Sequence, residues 1–397
     1  MRRFSTSTNR LLRWALLVLL PGCTDPFTPP SASAPPSYLV VDGFINSRGI
    51  STISLSRTYA IALAASPPTE TSATVFVEAQ TGRQYLLRES AVKGTYVSDQ
   101  LTLNPADTYR LHLTTAAGKE YASAFVPVKT TPPIDTVVWR ATGTGVDLTV
   151  STHDPARATQ YYRWEYAETW EIVSPYVPSL EYSGNRLRAL SVPYPALCWR
   201  TTRGTTVQLA STATLNQDVV SAYPLRQLPS TAQQLLRRYS LLVQQHALTK
   251  EEYQYWELLR KNTETIGSLF DPQPVQLTGN VRGLTRPTEL ALGFVGVHSL
   301  AEKRIFIARQ ELPAGFPKVS GYESCLPPDS VFLQPRGADL PFSPEDKLQT
   351  SFSGPNALIP IDPIIVKGFD LIGYTAKEKD CVDCRTRGTS VKPSFWP

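Results

Sequence analysis

Thirty-four prolines are spread through this chain of 397 residues, and they limit how much of it can form long helices. Proline breaks the interior of a helix but is accepted in turns and edge strands. Apolar residues make up 42% of the sequence, which is enough to bury a core and excludes a disordered or collagen-like chain. At roughly 150 residues per domain, we expect about two mainly β domains, each made of short strands joined by proline-rich turns.

The first 23 residues carry a targeting pattern. Arginines precede an apolar run at residues 14–20, and the segment then ends in Pro21-Gly22-Cys23. The run is about half of the ~20 residues that a membrane-spanning helix needs, so we interpret residues 1–22 as a secretory signal peptide. The end of the segment resembles a bacterial lipobox, which predicts Cys23 as the site of lipid attachment. The alternative is ordinary signal cleavage that leaves Cys23 as an incidental thiol.

The charge of the chain is nearly balanced once the signal peptide is removed. The formal net charge of +5 falls to +1 from Cys23 onward, because four of the 39 basic residues and none of the acidic ones lie in residues 1–22. Such a balance gives no electrostatic footprint for nucleic acid. Residues 23–37 are rich in Pro, Ser, Thr and Ala, and this composition predicts a semi-extended tether.

The first β domain is expected over residues 38–128. Strands and turns alternate there at a spacing of about 10 residues, as in Ig-like or fibronectin-like β-sandwiches. In the predicted strand at residues 108–114, Tyr109, Leu111 and Leu113 share one face. This alternation is typical of a half-buried strand.

A second β domain with an inserted helical hairpin is expected over residues 133–397, after a proline-containing linker. Apolar side chains recur at helical spacing within residues 230–266, which predicts the two helices of the hairpin. The second helix begins with Thr249 as N-cap and Glu252 three positions later, the pattern of a capping box. Beyond that insertion, residues 313–397 lose their periodicity, and we expect them to form an irregular tail packed on the domain.

Aromatic residues alternate with polar ones over residues 160–172. The aromatic residues, which include Trp164 and Trp170, occupy alternate positions and so share one face of a strand. This pattern predicts that the shared face is buried. The alternative is an exposed aromatic face that binds a glycan, since Trp rings combine a large apolar surface with a polar group. Tyr253 and Trp256 on the second predicted helix are further candidates for contact with a ligand or a partner.

Four cysteines follow Cys23, and an even number outside the cytoplasm predicts two disulfides. We expect Cys381 to pair with Cys384, because they are close in sequence, and Cys198 with Cys325, which would tie the tail to the β domain. The CxxC spacing also permits a redox or zinc site. Zinc, however, needs a second close pair of Cys or His ligands, and the CxxC lacks the strand-to-helix context of a redox motif.

The sequence contains no motif of a hydrolase, metalloprotease or nucleotide-binding enzyme. His112, His153 and His246 are expected at the surface, in a strand, a turn and the loop between the predicted helices. Acidic side chains between residues 165 and 171 could form an acid/base pair, but a solvated polar face explains them equally well. We therefore predict no catalytic residue, no metal and no cofactor.

Several segments resemble the family of Bacteroidota outer-membrane lipoproteins known as domain of unknown function 4249. They are the lipobox, residues 38–43 and 54–59, residues 248–256 running on to 267–274, and the ending from the CxxC motif to Phe395-Trp396. The resemblance implies lipidation of Cys23 and a role for Cys381 and Cys384 as the terminal cysteine pair. It also implies an accessory role in nutrient uptake, because members are often encoded beside TonB-dependent receptors.

The sequence thus predicts a non-enzymatic, lipid-anchored binding or scaffold protein of the outer membrane, with a TonB-dependent transporter as its partner. The second hypothesis is a lipoprotein that binds or processes surface glycans, and the third is a redox protein that uses Cys381 and Cys384. Both the cell surface and the periplasmic face of the outer membrane are compatible with the sequence.

Overall fold

The structure, a computed structural model, describes residues 37–59, 66–264, 277, 279–286, 289–333, 343–366 and 370–397. It is a mainly β protein with sandwich-like sheets, as the sequence predicts. The predicted signal peptide, the predicted lipid site Cys23 and the predicted tether up to residue 36 lie outside the described residues. No helix within the described ranges is long and apolar enough to cross a membrane.

Strands dominate the order of elements. In chain order the strands are β1 (Leu39–Asn46), β2 (Thr52–Arg57), β3 (Thr74–Ala79), β4 (Gln84–Glu89), β5 (Thr95–Ser98), β6 (Thr108–Thr114), β7 (Glu120–Ser123), β8 (Val126–Pro127), β9 (Ile134–Ala141), β10 (Gly145–His153), β11 (Tyr161–Ile172), β12 (Leu180–Ser183), β13 (Arg186–Ala189), β14 (Cys198–Arg203), β15 (Gln208–Ser211), β16 (Val219–Pro229), β17 (Arg238–Ala247), β18 (Val281–Gly283), β19 (Ala291–Leu292), β20 (Val297–His298), β21 (Leu300–Ala308), β22 (Asp329–Phe332), β23 (Leu358–Val366) and β24 (Asp370–Glu378). The helices are α1 (Lys250–Glu264), α2 (Pro344–Phe352) and α3 (Lys379–Val382), and short 3-10 turns lie at Gln233–Leu235, Arg309–Glu311, Glu323–Cys325 and Cys384–Thr386.

The first β domain is one sheet whose ends meet. Its strand order is β18-β7-β6-β3-β4-β5-β2-β1-β19, with β8 beside β6 and β20 beside β1. A bridge between Arg282 and Leu290 joins the two ends of this order, so the strands enclose a common core. The predicted boundaries of 38–128 leave out β18, β19 and β20, because these strands follow α1 in the sequence and return from the second domain to the first.

Burial in β6 follows the predicted alternation. Tyr109, Leu111 and Leu113 are buried, whereas Arg110 and His112 on the other face are only partly covered. Arg110 Nε lies 2.6 Å from a carboxylate oxygen of β3, and His112 Nε2 lies 2.5 Å from one of β7. Cross-strand pairs of this kind hold the outer face of the sheet together.

The second β domain is a sandwich of two sheets. One sheet has the order β16-β10-β9, and the other has the order β14-β11-β17-β21 with β15 also paired to β11. Their facing side chains form a second core, in which Trp164 and Trp170 are 1% and 3% exposed. The interpretation of residues 160–172 as the buried face of a strand is therefore confirmed. The assignment of Trp164 and Trp170 as ligand contacts is wrong, because neither indole is open to solvent.

The predicted helical hairpin is half wrong. Its second helix is present as α1, but the predicted first helix is replaced by a short 3-10 turn and strand β17. β17 pairs on both sides, with β11 and β21, and it buries the polar side chains of Ser240, Gln245 and His246 along with its apolar ones. A strand that is buried on both faces lacks the simple alternation that distinguishes it from a helix.

The prediction of an irregular tail at residues 313–397 is also wrong. β22, β24 and β23 form an antiparallel tail sheet, which packs with α2 and the hairpin of β12 and β13 around a small core that contains Phe352 and Tyr374. Pro360 and Pro363 lie in β23, an edge strand whose register shifts between them. Because proline is tolerated at edges and irregularities of sheets, the proline content of this segment did not prevent strand formation.

One disulfide ties the tail to the second β domain and another closes a loop within the tail, but the predicted pairing is wrong. The bonds join Cys198 to Cys384 and Cys325 to Cys381, each with a Cα–Cα distance of 5.7 Å. Cys381 lies in α3 and Cys384 in the 3-10 turn that follows it, so the two cysteines face different partners, one in β14 and one in the 3-10 turn at 323–325. Closeness in sequence was therefore the wrong criterion, and Cys381 and Cys384 do not form the CxxC disulfide that the redox hypothesis requires.

Candidate functional site

The two β domains meet at a buried cluster of polar and aromatic side chains. β1 and β20 contribute residues from the first domain, β11 and β17 contribute residues from the second, and α1 adds two more. This junction cluster consists of Phe44, Arg163, His246, Glu252, Trp256 and His298. Its four ionisable side chains are between 0% and 7% exposed.

The path of the chain brings the cluster together. Residues 129–133 cross from β8 to β9, and Ser299 alone separates β20 of the first domain from β21 of the second. The N–H of Thr131 donates to Ser299 Oγ (2.9 Å), and the N–H of Ala247 donates to Thr131 Oγ1 (3.1 Å). These bonds tie both crossings to the end of β17, so the predicted linker is a fixed part of the junction.

Three rings form the centre of the cluster. The imidazole of His298 stacks on Phe44, with ring centroids 4.3 Å apart and an angle of 17° between the planes. The imidazole of His246 meets both of these rings edge-on, with centroids 5.0 Å from each. Because Phe44 and His298 belong to the first domain and His246 to the second, this packing is a direct contact between the domains.

Glu252 enters the cluster from the first turn of α1. Its backbone N–H donates to Thr249 Oγ1 (3.2 Å), which is one half of the predicted capping box, but its carboxyl turns toward the cluster. Glu252 Oε1 lies 3.8 Å from His298 Nε2. A Cβ at Gly296 would collide with this carboxyl, so the glycine leaves the space that the carboxyl occupies.

Arg163 brings a positive charge into the cluster. Its guanidinium pairs with Glu165 and stacks over the indole of Trp256, 4.2 Å from the ring centroid, in a cation–π contact. Several buried nitrogens nearby have no hydrogen-bond partner among the described residues, namely Arg163 Nε, His298 Nε2 and both ring nitrogens of His246. Since an unpaired buried polar group costs about 1–3 kcal/mol, ordinary core packing explains the cluster poorly.

Burial sets the protonation of the cluster. Burial, together with the charge of Arg163, lowers the pKa of His298 to about 3. Burial, Arg163 and His298 together hold the pKa of His246 well below its ordinary value. Burial also raises the pKa of Glu252 to about 7, against the opposing effects of Arg163 and Trp256. At neutral pH the imidazoles are therefore uncharged and the carboxyl is partly protonated.

The side chains predicted to contact a ligand or a partner are dispersed. Trp256 belongs to the junction cluster. Tyr253 lies half-buried on α1 beside Tyr161, with ring centroids 5.1 Å apart. Trp164 and Trp170 lie in the core of the second domain, so the structure does not bring the four predicted contacts together.

Three ionisable residues of the cluster escape prediction from sequence. His246 is buried instead of being at the surface, because the predicted interhelix loop is the end of β17. His298 follows the residues Phe-Val-Gly-Val at 294–297, and a histidine next to such an apolar run is the signal that indicates its burial. Glu252 fits a capping box, a pattern that predicts a carboxyl turned back toward the start of the helix and not into the cluster.

The junction cluster combines titratable side chains with aromatic ones. Within the part of the chain that the structure describes, no group of three or more His, Cys, Asp or Glu side chains is arranged to hold a metal ion. The ionisable groups of the cluster are closed to solvent.

The fold is that of a mainly β protein with sandwich-like sheets and a tail tied to the second β domain by a disulfide. The chain belongs to the DUF4249 family, described as a domain of unknown function, whose model matches residues 24–304. This range contains the whole junction cluster and ends within β21, so the tail sheet lies beyond it.

The chain is similar to two solved structures of other proteins. One is a two-domain fibronectin type-III segment from chicken tenascin, with 10% sequence identity and a TM-score of 0.16 over 53% of this chain and 91% of that chain. The other is a DUF4785 family protein from Legionella pneumophila, with 9% identity and a TM-score of 0.20 over 52% of this chain and 51% of that chain. No curated protein matches the chain.

Proposed function

We propose that this protein is a non-enzymatic binding or scaffold protein of the outer membrane, held there by a lipid on Cys23, and that it assists a TonB-dependent transporter in nutrient uptake. The basic and apolar segment before Cys23 and its lipobox-like end support the anchor. Membership of the DUF4249 family supports the comparison with lipoproteins encoded beside such transporters.

The pair of disulfides is the observation that carries the extracytoplasmic part of this proposal. Cys198–Cys384 and Cys325–Cys381 use every cysteine after the predicted lipid site. Disulfides persist in oxidising compartments and are rare in the cytosol, where thiols are kept reduced. A protein whose tail is tied to the second β domain by one such bond and cross-linked internally by another is suited to the periplasm or the cell surface.

A fixed arrangement of domains supports a scaffold role. The linker at residues 129–133 is bonded to β17 and to Ser299, and the stacked rings of the junction cluster join the domains directly. Two β domains and a tail sheet held in one arrangement present a large preformed surface, and preformed surfaces lose little entropy on binding.

The glycan hypothesis has less support than the scaffold. Its motivation was an aromatic face at residues 160–172, and the Trp rings of that face are buried. Tyr253 and Trp256 are half-buried on α1 and pack against Tyr161 and Arg163. None of these four side chains presents a fully open ring on which a sugar would stack.

Co-purification of the tagged, full-length protein from native membranes in mild detergent tests the proposed partner. We expect a β-barrel receptor in the eluate, enriched about tenfold over a Cys23→Ala variant. The variant keeps the folded domains but is not held at the membrane. Membrane confinement raises the effective concentration of the protein near its partner, so the variant should recover less receptor. Recovery of no outer-membrane protein with the wild-type chain would contradict the proposal.

A further inference from the structure

The contact between the domains depends on two imidazoles that carry no charge. His298 belongs to the first domain and His246 to the second, and their ring centroids are 5.0 Å apart. Both ring nitrogens of His246 lack a hydrogen-bond partner among the described residues, and His298 Nε2 lacks one as well. His298 Nδ1 lies 3.3 Å from the carbonyl oxygen of Ser299. No carboxylate within hydrogen-bond distance of either ring stabilises an imidazolium, and Glu252 Oε1, at 3.8 Å from His298 Nε2, is too far away for a hydrogen bond.

Burial and the charge of Arg163 favour the neutral form of both imidazoles. The charged groups contributed by the neighbouring elements are Arg163 and Glu165 from β11, Asp42 from β1, Glu252 from α1 and Lys129 from the linker. Glu165 pairs with Arg163, and the ammonium of Lys129 donates to the carbonyl oxygen of Ala158 (2.8 Å). On β21 the residue opposite His246 is the apolar Leu300. Glu252 is thus the carboxyl nearest to the rings, at 3.8 Å from His298.

We propose that the junction between the two β domains is an acid-sensitive contact, which loosens when His246 and His298 take up protons. Two imidazolium ions beside Arg163 would place three positive charges in a buried site. Like charges at such distances repel strongly where water is excluded. Separation of the domains admits water to all three groups and relieves the repulsion.

The direction of the pH effect follows from proton linkage. For both imidazoles the pKa in the closed junction is below the ordinary value of 6.5, so the open form binds protons more readily and acid favours opening. Glu252 acts in the opposite sense, because its pKa is about 7 in the closed junction and the ordinary value is 4.5. Below about pH 6 the two imidazoles outweigh the single carboxyl, and the closed junction becomes less stable as the pH falls.

Hydrogen exchange of the full-length protein at several pH values, corrected for the intrinsic pH dependence of exchange, tests the proposal. Between about pH 7.5 and about pH 5, we expect about a tenfold loss of protection in β20, in the end of β17 and in the first turn of α1. Strands in the centres of the two cores, such as β3 and β10, should keep their protection, because local opening need not involve global unfolding.

Three variants give the test its controls. His246→Gln combined with His298→Gln should abolish the acid-induced loss at the junction. His153→Gln, at an exposed histidine of the second domain, should behave as the wild type. Glu252→Gln should enlarge the loss, because it removes the group whose protonation stabilises the closed form.

Two results would overturn the proposal. One is a wild-type junction that stays protected at about pH 5 or that opens only together with the domain cores. The other is a double histidine variant that loses as much protection as the wild type. If the double variant does not fold, the Glu252→Gln variant decides the question. A loss of protection at the junction equal to that of the wild type contradicts the proposal, and a larger loss supports it.

Discussion

Replacing Cys198 and Cys384 together by serine should lower the free energy of unfolding by about 2–5 kcal/mol. The bond joins residues that are 186 positions apart, whereas Cys325–Cys381 spans 56 positions. A longer closed loop restricts the unfolded chain more. We therefore expect the paired Cys325→Ser and Cys381→Ser variant to lose about 1 kcal/mol less than the first variant. Denaturant unfolding under non-reducing conditions measures both.

Peptide mapping without reduction checks the pairing behind this expectation. Cleavage before Asp383 separates Cys381 from Cys384, so that each cysteine can be assigned to its partner. We expect the Cys384 peptide to be linked to the Cys198 peptide and the Cys381 peptide to the Cys325 peptide. A link between Cys381 and Cys384, or unfolding free energies unchanged in both serine variants, would contradict the structure.

Trp164→Ala should destabilise the second β domain by about 3–5 kcal/mol. The indole is 1% exposed in the core, and its N–H donates to Gln245 Oε1 (2.8 Å). Truncation removes this donor as well as the packing of the ring. Gln245 would keep its bonds to the carbonyl oxygen of Pro132 and to Thr152 but would be left with a buried, unpaired oxygen.

Phe332→Ala is the matched control for the tryptophan variant. Phe332 is 47% exposed in the tail sheet, and an exposed aromatic of this kind should change the free energy of unfolding by about 0.5 kcal/mol or less. Thermal or denaturant unfolding compares the two. A Trp164→Ala protein that is as stable as the wild type, yet loses retention on a glycan column, would contradict the assignment of this ring to the core.

The elements that could be predicted from sequence are those whose local pattern agrees with their surroundings. β6 has one buried and one polar face, so its alternation is visible in the residues themselves. α1 begins just after Thr249, and the signal of that N-cap is local as well. In β11 the aromatic residues occupy alternate positions. This alternation predicts the inner face of the strand, because the same side chains fill the sandwich core.

The elements that could not be predicted depend on contacts between distant segments. β17 is central in its sheet, and burial of Gln245 and His246 on it removes the polar positions that mark a strand. β18, β19 and β20 are short, and their place is set by pairing with β7 and β1. The junction cluster combines residues from five elements, and no spacing in the sequence relates His246 to His298.

The proposed function depends most directly on the attachment of a lipid to Cys23. Metabolic labelling with a palmitate analogue, followed by fractionation of the cells, compares the wild type with Cys23→Ala. We expect label and outer-membrane localisation for the wild type, and an unlabelled protein in the soluble fraction for the variant, since multiple acyl chains are needed for stable anchoring. An unlabelled wild type that fractionates in the same way as Cys23→Ala would contradict the account.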